Sequence, residues 1–161
     1  MLKSIINMYD LKSFIAGFVN GEGCFTFLIS KTNIMPSFSI TLNIQDASIL
    51  DVIKNELNIG KIYLCPKSNT CIYTVTKIDE CLIIIDFFDN YLIGVKKEDF
   101  LIWKQGIIKF YEIGKERTFF TQNEIEYFCS IRPRDRKRRN VMSEEKIKEI
   151  KEVREKIKRE K

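Results

Sequence analysis

Two stretches of strict alternation near the start of the chain restrict its folding more than any other feature. Over residues 24–31, Phe25, Phe27 and Ile29 fall on one side and Thr26, Leu28 and Ser30 on the other. Over residues 38–45, Phe38, Ile40, Leu42 and Ile44 oppose Ser39, Thr41, Asn43 and Gln45. A period of two marks a strand with one buried face. Two such strands form an antiparallel pair that needs a covering layer on its apolar face and leaves its polar face open. Residues 32–37, with Asn33 and Pro36, read as the connection between them.

The covering layer is legible on either side of this pair. Asp10 is placed to cap a helix over residues 11–19, ended by Asn20-Gly21. Asp46 is placed to cap a second through Leu57, with Ile49, Val52, Ile53 and Leu57 at helical spacing and Gly60 beyond its end. Strands are expected near residues 61–67 and 71–76, joined by Ser68-Asn69-Thr70. Helices follow from Asp79 to about Leu92, from Lys97 to about Glu112, and from the Thr121 cap to about Ile131. The order is αββαββα with further helices after it, an α+β fold class, and no repeat is visible. Residues 1–131 read as one domain. Residues 132–161 read as a basic segment followed by a charged helix capped by Ser143, with Ile147, Ile150, Val153 and Ile157 in a narrow stripe.

Composition removes several chemistries. The chain has no histidine, which excludes Ser-His-Asp and Cys-His catalysis and His-ligated zinc. Its cysteines, 24, 65, 71, 81 and 129, form no C-x-x-C and are odd in number, so free thiols in a reducing compartment are expected. No apolar run approaches membrane-spanning length and the first residues lack a secretory apolar core, so neither a membrane partner nor a secretory leader is expected. Ile, Lys, Asn, Phe and Tyr make up 73 residues while Ala occurs only at 16 and 47. That bias fits an AT-rich coding genome such as an organelle's.

The formal net charge of +5 is concentrated at one end. Residues 132–161 hold fourteen Lys and Arg against seven Asp and Glu, whereas residues 1–131 hold thirteen against fifteen. Arg132, Arg134, Arg136, Lys137, Arg138 and Arg139 crowd into eight residues. Such a cluster favours a polyanion, because each phosphate contact releases condensed counterions. A solvated tail, an acidic membrane surface and a targeting signal are the competing readings.

The first helix carries Ile15-Ala-Gly-Phe-Val-Asn-Gly-Glu-Gly23. Glycine costs about 1 kcal/mol inside a helix, so Ala16, Gly17 and Gly21 make sense where another backbone approaches closely. Glu22 falls at the helix C-terminal pole, where the dipole places roughly −0.5 charge. A carboxylate there calls for a cation, which makes a hard-metal site one reading and an exposed acid in a glycine turn the other.

Residues 15–23 resemble the motif that names the LAGLIDADG homing endonucleases. The likeness continues through Phe38-x-Ile-x-Leu-Asn-Ile-Gln-Asp46 with Ile49-Leu50. It resumes at Ile83-Ile-Ile-Asp-Phe-Phe-Asp-Asn-Tyr-Leu-Ile93 and at Lys96, Asp99-Phe100 and Trp103-Lys104. Roughly residues 10–131 are covered. The resemblance is to single-motif, organellar, group I intron-encoded members. It implies an αββαββα fold with a saddle-shaped antiparallel DNA-binding sheet, in a mitochondrion or chloroplast.

By this resemblance Glu22 is the metal-binding catalytic carboxylate and Gly21 offers its backbone carbonyl to the same Mg²⁺ or Mn²⁺. Asn20 stands in place of the motif's first acid, at a position that is mainly structural. The phosphate-stabilising lysine falls on Lys96, with Lys97 its rival, and the water-positioning residue on Gln45 or Asp46. The open sheet face becomes the surface that reads double-stranded DNA. By alternation its members are Thr26, Leu28, Ser30, Ser39, Thr41, Asn43, Gln45, Tyr63, Cys65, Lys67, Ile72, Thr74 and Thr76, with Lys67 the one cation. Affinity then leans on the basic segment 132–139. One motif per chain against two DNA strands implies a homodimer packed through Phe14, Ala16, Gly17, Phe18 and Gly21. The alternatives are an intron maturase, with intron RNA as its partner, and a non-cleaving DNA-binding relic; the acid at Glu22 favours the nuclease.

Overall fold

The computed structural model describes residues 10–114 and 119–131, together with Lys148. Helix α1 spans Leu11–Glu22. The Asp10 carboxylate accepts hydrogen bonds from the Ser13 backbone N–H (3.1 Å) and hydroxyl (2.5 Å). These hold its pKa below the ordinary carboxylate value. The helix does not stop at Asn20-Gly21 as expected. The Asn20 Nδ2 donates back to the Ala16 carbonyl (3.0 Å), and the turn continues to extended Gly23, whose N–H closes on the Val19 carbonyl. Gly21 and Glu22 therefore form the last turn of the helix rather than a loop after it.

Strands β1 (Gly23–Ile29) and β2 (Ile34–Asn43) follow. Strand β2 begins earlier than the sequence suggests and includes Pro36. Its pairing with the next neighbour starts only at Phe38, so at Pro36 β2 has a partner on one side alone, where a missing N–H is tolerated. A single 3₁₀ turn, Ile44–Asp46, leads into α2 (Ala47–Leu57). Asp46 occupies the N-cap position without a side-chain capping bond; the Asn43 side chain instead accepts from the Gln45 N–H at 3.0 Å. Leu50, Ile53 and Leu57 are the buried positions of α2.

Strand β3 covers Lys61–Cys65 and β4 covers Thr70–Val75. Pro66–Ser68 form a 3₁₀ turn between them, so β3 ends before Lys67. Helix α3 (Ile78–Phe88) stops short of Leu92, and the chain then turns through Asn90 in the left-handed region (φ 67°). Helix α4 runs Gly94–Ile113 and α5 runs Gln122–Ser130. The latter opens on a full capping box between Thr121 and Glu124. The predicted charged helix and basic segment after Ile131 lie outside the described residues.

The sheet order is β1-β2-β4-β3, antiparallel throughout. Phe25, Phe27, Phe38, Ile40, Tyr73 and Val75 pack under the helices with Ile15, Val19, Ile53, Phe88, Trp103 and Phe128. The buried polar tips are satisfied: the Trp103 Nε1 donates to the Thr26 carbonyl and the Tyr73 hydroxyl to the Ile59 carbonyl, both at 3.1 Å. The five cysteines are free thiols. Burial pushes the Cys81 thiol up to about 12 and raises that of Cys71.

Candidate functional site

The register settles which side chains share the open face of the sheet, because directly opposed residues point the same way. Cys24, Ser39, Thr74 and Lys61 line up across all four strands. Beside that row lie Thr41, Ile72 and Tyr63, then Asn43, Thr70 and Cys65. Toward the β1–β2 turn, Thr26 opposes Ser37 and Leu28 opposes Met35. Nine of the expected residues therefore stand on this face.

The other four do not belong to its strands. Ser30 lies in the β1–β2 turn, where its hydroxyl bonds the Asn33 carbonyl. Gln45 and Lys67 sit in the two 3₁₀ turns and Thr76 lies just past β4. Conversely, Cys24, Met35, Lys61 and Thr70 are on the face without having been expected there, and Ser37 shares its register but is buried. The alternation, continued back through Pro36, reaches Met35 and Ser37. The cation of the face is Lys61 rather than Lys67. The six basic residues of segment 132–139 lie outside the described residues.

At the edge of this face α1 ends in Glu22, which is exposed. Its last carbonyls, that of Gly21 among them, have no N–H partner within the helix. Lys96, in the first turn of α4, reaches back and donates its Nζ to the Gly23 carbonyl. The Ile93 N–H, just ahead of α4, donates to the Asn20 Oδ1 at 3.1 Å. Two bonds, each joining residues 73 apart in sequence, thus clamp the end of α1 to the start of α4. Asn20 serves both elements, as donor to its own helix and acceptor for the other.

Lys97 points elsewhere: it lines a small cavity with Phe88, Asn90, Leu92 and Phe100. Gln45 and Asp46 are not brought to Glu22 by the strand pairing. Ile40 is the partner of Gly23, and Gln45 follows it by five residues, beyond the end of β2 in the 3₁₀ turn. Among the described residues no three His, Cys, Asp or Glu side chains form a metal cluster. What one chain offers is a carboxylate and a carbonyl at the helix end, hard oxygen donors of the kind Mg²⁺ takes alongside water and phosphate oxygens.

The outer face of α1 is bare. A Cβ at Gly17 or Gly21 would meet nothing within 4 Å. Phe14 and Phe18 flank them, half-buried and stacked with ring centroids 6.2 Å apart. Ala16 does not share this face. It is buried in the core of its own chain, so its small size serves internal packing.

Residues 15–107 match the profile of a family described as LAGLIDADG endonuclease. The chain is 32% identical over 108 residues to "Probable intron-encoded endonuclease Cox1-I1b" of Schizosaccharomyces pombe, covering 62% of this chain and 28% of that protein. It is 35% identical over 98 residues to "Probable intron-encoded endonuclease 2" of Neurospora crassa, covering 60% and 22% respectively. Among solved structures, the LAGLIDADG meganuclease I-AabMI bound to uncleaved DNA superposes with a TM-score of 0.66 at 29% identity, over 74% of this chain and 43% of that one. The chain thus spans about a quarter of these curated relatives and under half of this solved one. No helix among the described residues is long and apolar enough to cross a membrane.

Proposed function

The chain belongs to the LAGLIDADG endonuclease family, and from that premise we propose that it is a site-specific double-strand DNA endonuclease. It acts as a homodimer on a long pseudo-palindromic target and hydrolyses phosphodiester bonds with Mg²⁺ or Mn²⁺. The observation that carries the reading is the bond from Lys96 to the Gly23 carbonyl, one residue past Glu22 at the end of α1, beside an open sheet face that carries hydroxyl, amide and apolar side chains.

Glu22 and the Gly21 carbonyl would hold the cation, which when bound stabilises charge on the phosphate and makes a water molecule more acidic. Lys96, anchored on the Gly23 carbonyl, sets a fixed positive charge where negative charge develops at the cleaved phosphate. The sheet face enters the major groove, where each base pair shows a distinct pattern of donors and acceptors. The basic segment 132–139 supplies phosphate contacts. Gln45 and Asp46, in the 3₁₀ turn after β2, are assigned no step.

Two strands and one Glu22 per chain require two copies of the site. The bare Gly17 and Gly21 face suits the close approach of a second α1. The fungal relative named for a Cox1 intron supports a mitochondrial setting.

Incubating the protein with a randomised duplex library and Mg²⁺, then sequencing the cut ends, tests the reading. The expected product is a pseudo-palindrome with half-sites about 10 bp apart, centre to centre. Tight duplex binding without cutting would point to a relic of the fold. Selective capture of structured RNA over duplex DNA would point to a maturase.

A further inference from the structure

The open face of the sheet carries aliphatic side chains among its polar ones. Leu28 and Met35 oppose each other directly across β1 and β2, and they are 48% and 39% exposed. Ile72 lies between Thr41 and the half-exposed Tyr63. A single exposed aliphatic side chain needs no explanation, but a directly paired set on one face forms a continuous patch. The face is also poor in readers of guanine. Lys61 is its one cation, and no arginine occurs on its four strands. An arginine fork for guanine O6 and N7 is therefore missing from these strands, and Lys61 is the one side chain on them with the charge for that contact.

What such a face can recognise is set by what it carries, aliphatic surface beside hydroxyls. In the major groove that combination matches thymine, whose C5-methyl projects next to the O4 acceptor. Resting on the DNA-cleaving reading above, we propose that the sheet selects A·T-rich half-sites by packing the Leu28 and Met35 pair, and Ile72, against thymine C5-methyl groups. Leu28 stands five residues along β1 from Gly23, roughly 16 Å of strand. At about 3.4 Å per base pair, this pair reads roughly five base pairs outward from the end of α1. Ile72, on the row next to Ser39 and Thr74, reads closer in.

The test replaces thymines of a binding-selected duplex one at a time with deoxyuridine. That keeps every hydrogen bond and removes only the methyl. Binding of the full chain is measured by competition without divalent cation. The expected result is a thymine about five base pairs from the cut whose replacement weakens binding about fourfold, the value of one buried methyl. Leu28→Ala should bind the thymine and uracil duplexes equally, and Ile72→Thr should do the same at an inner position. If uracil replacement changes nothing at any position while selective duplex binding persists, methyl reading is wrong and the nuclease reading stands. If the chain binds no duplex DNA, both fall together.

Discussion

Lys96 and Lys97 are adjacent in sequence but about 100° apart around α4, and only the first reaches the end of α1. Lys96→Met should lower single-turnover cleavage by about 10²- to 10³-fold, the usual loss when a fixed charge-stabilising donor is removed. Lys97→Met should change it by less than about threefold. Equal losses from both would contradict the assignment. Helical rotation also explains why the sequence alone does not choose between them: the deciding fact is a bond that spans 73 residues. The thiols carry a separate prediction. Cys81 is buried, with its value raised from 9.0 to about 12. Between those values the unfolded chain ionises this thiol while the native chain keeps its proton. Its contribution to stability is therefore complete below about pH 9 and lost as pH rises toward 12. Denaturation midpoints followed over that range should fall more steeply for the natural chain than for Cys81→Ala.

At the scale of elements, the alternation of β1 and β2 is legible in the sequence because one face is buried and the other is not. The end of α1 is not legible in the same way. Asn-Gly is a local stop signal, and what overrides it is the Asn20 side chain, bonded to Ala16 behind and Ile93 across. Pro36 similarly disguises the start of β2, since a proline is tolerated there only because β4 has already ended. The glycines separate by the same logic. At Gly106 a Cβ would overlap the Phe27 ring, where α4 crosses β1, so Gly106→Ala should cost about 1–3 kcal/mol in denaturant melts. Gly17→Ala meets open space and should stabilise the helix by up to about 1 kcal/mol. The reverse ranking would mean that α4 does not approach β1 as described.

For the whole molecule, two features decide whether this fold acts as an enzyme: a second copy and a source of affinity. A side chain at Gly17 starts into open space in the single chain. Gly17→Leu should therefore still fold with a cooperative melting transition while separating the paired helices, seen as loss of the dimer in sedimentation and of double-strand cutting. Truncation after Ile131 removes the six clustered cations. It should weaken binding to every sequence, with the log–log salt slope reduced by about 0.9 for each phosphate that is no longer neutralised. The most direct measurement concerns the acid on which the reading turns. Cleavage and binding of one selected duplex are compared for the natural chain and Glu22→Gln in the presence of Mg²⁺. The amide keeps the shape of the helix end and the whole sheet face but removes the anionic ligand. The predicted result is binding within about threefold of the natural chain and no cutting of either strand, since loss of a metal ligand removes the charge stabilisation it supported. Mg²⁺-dependent cutting by Glu22→Gln at the natural rate would contradict the account.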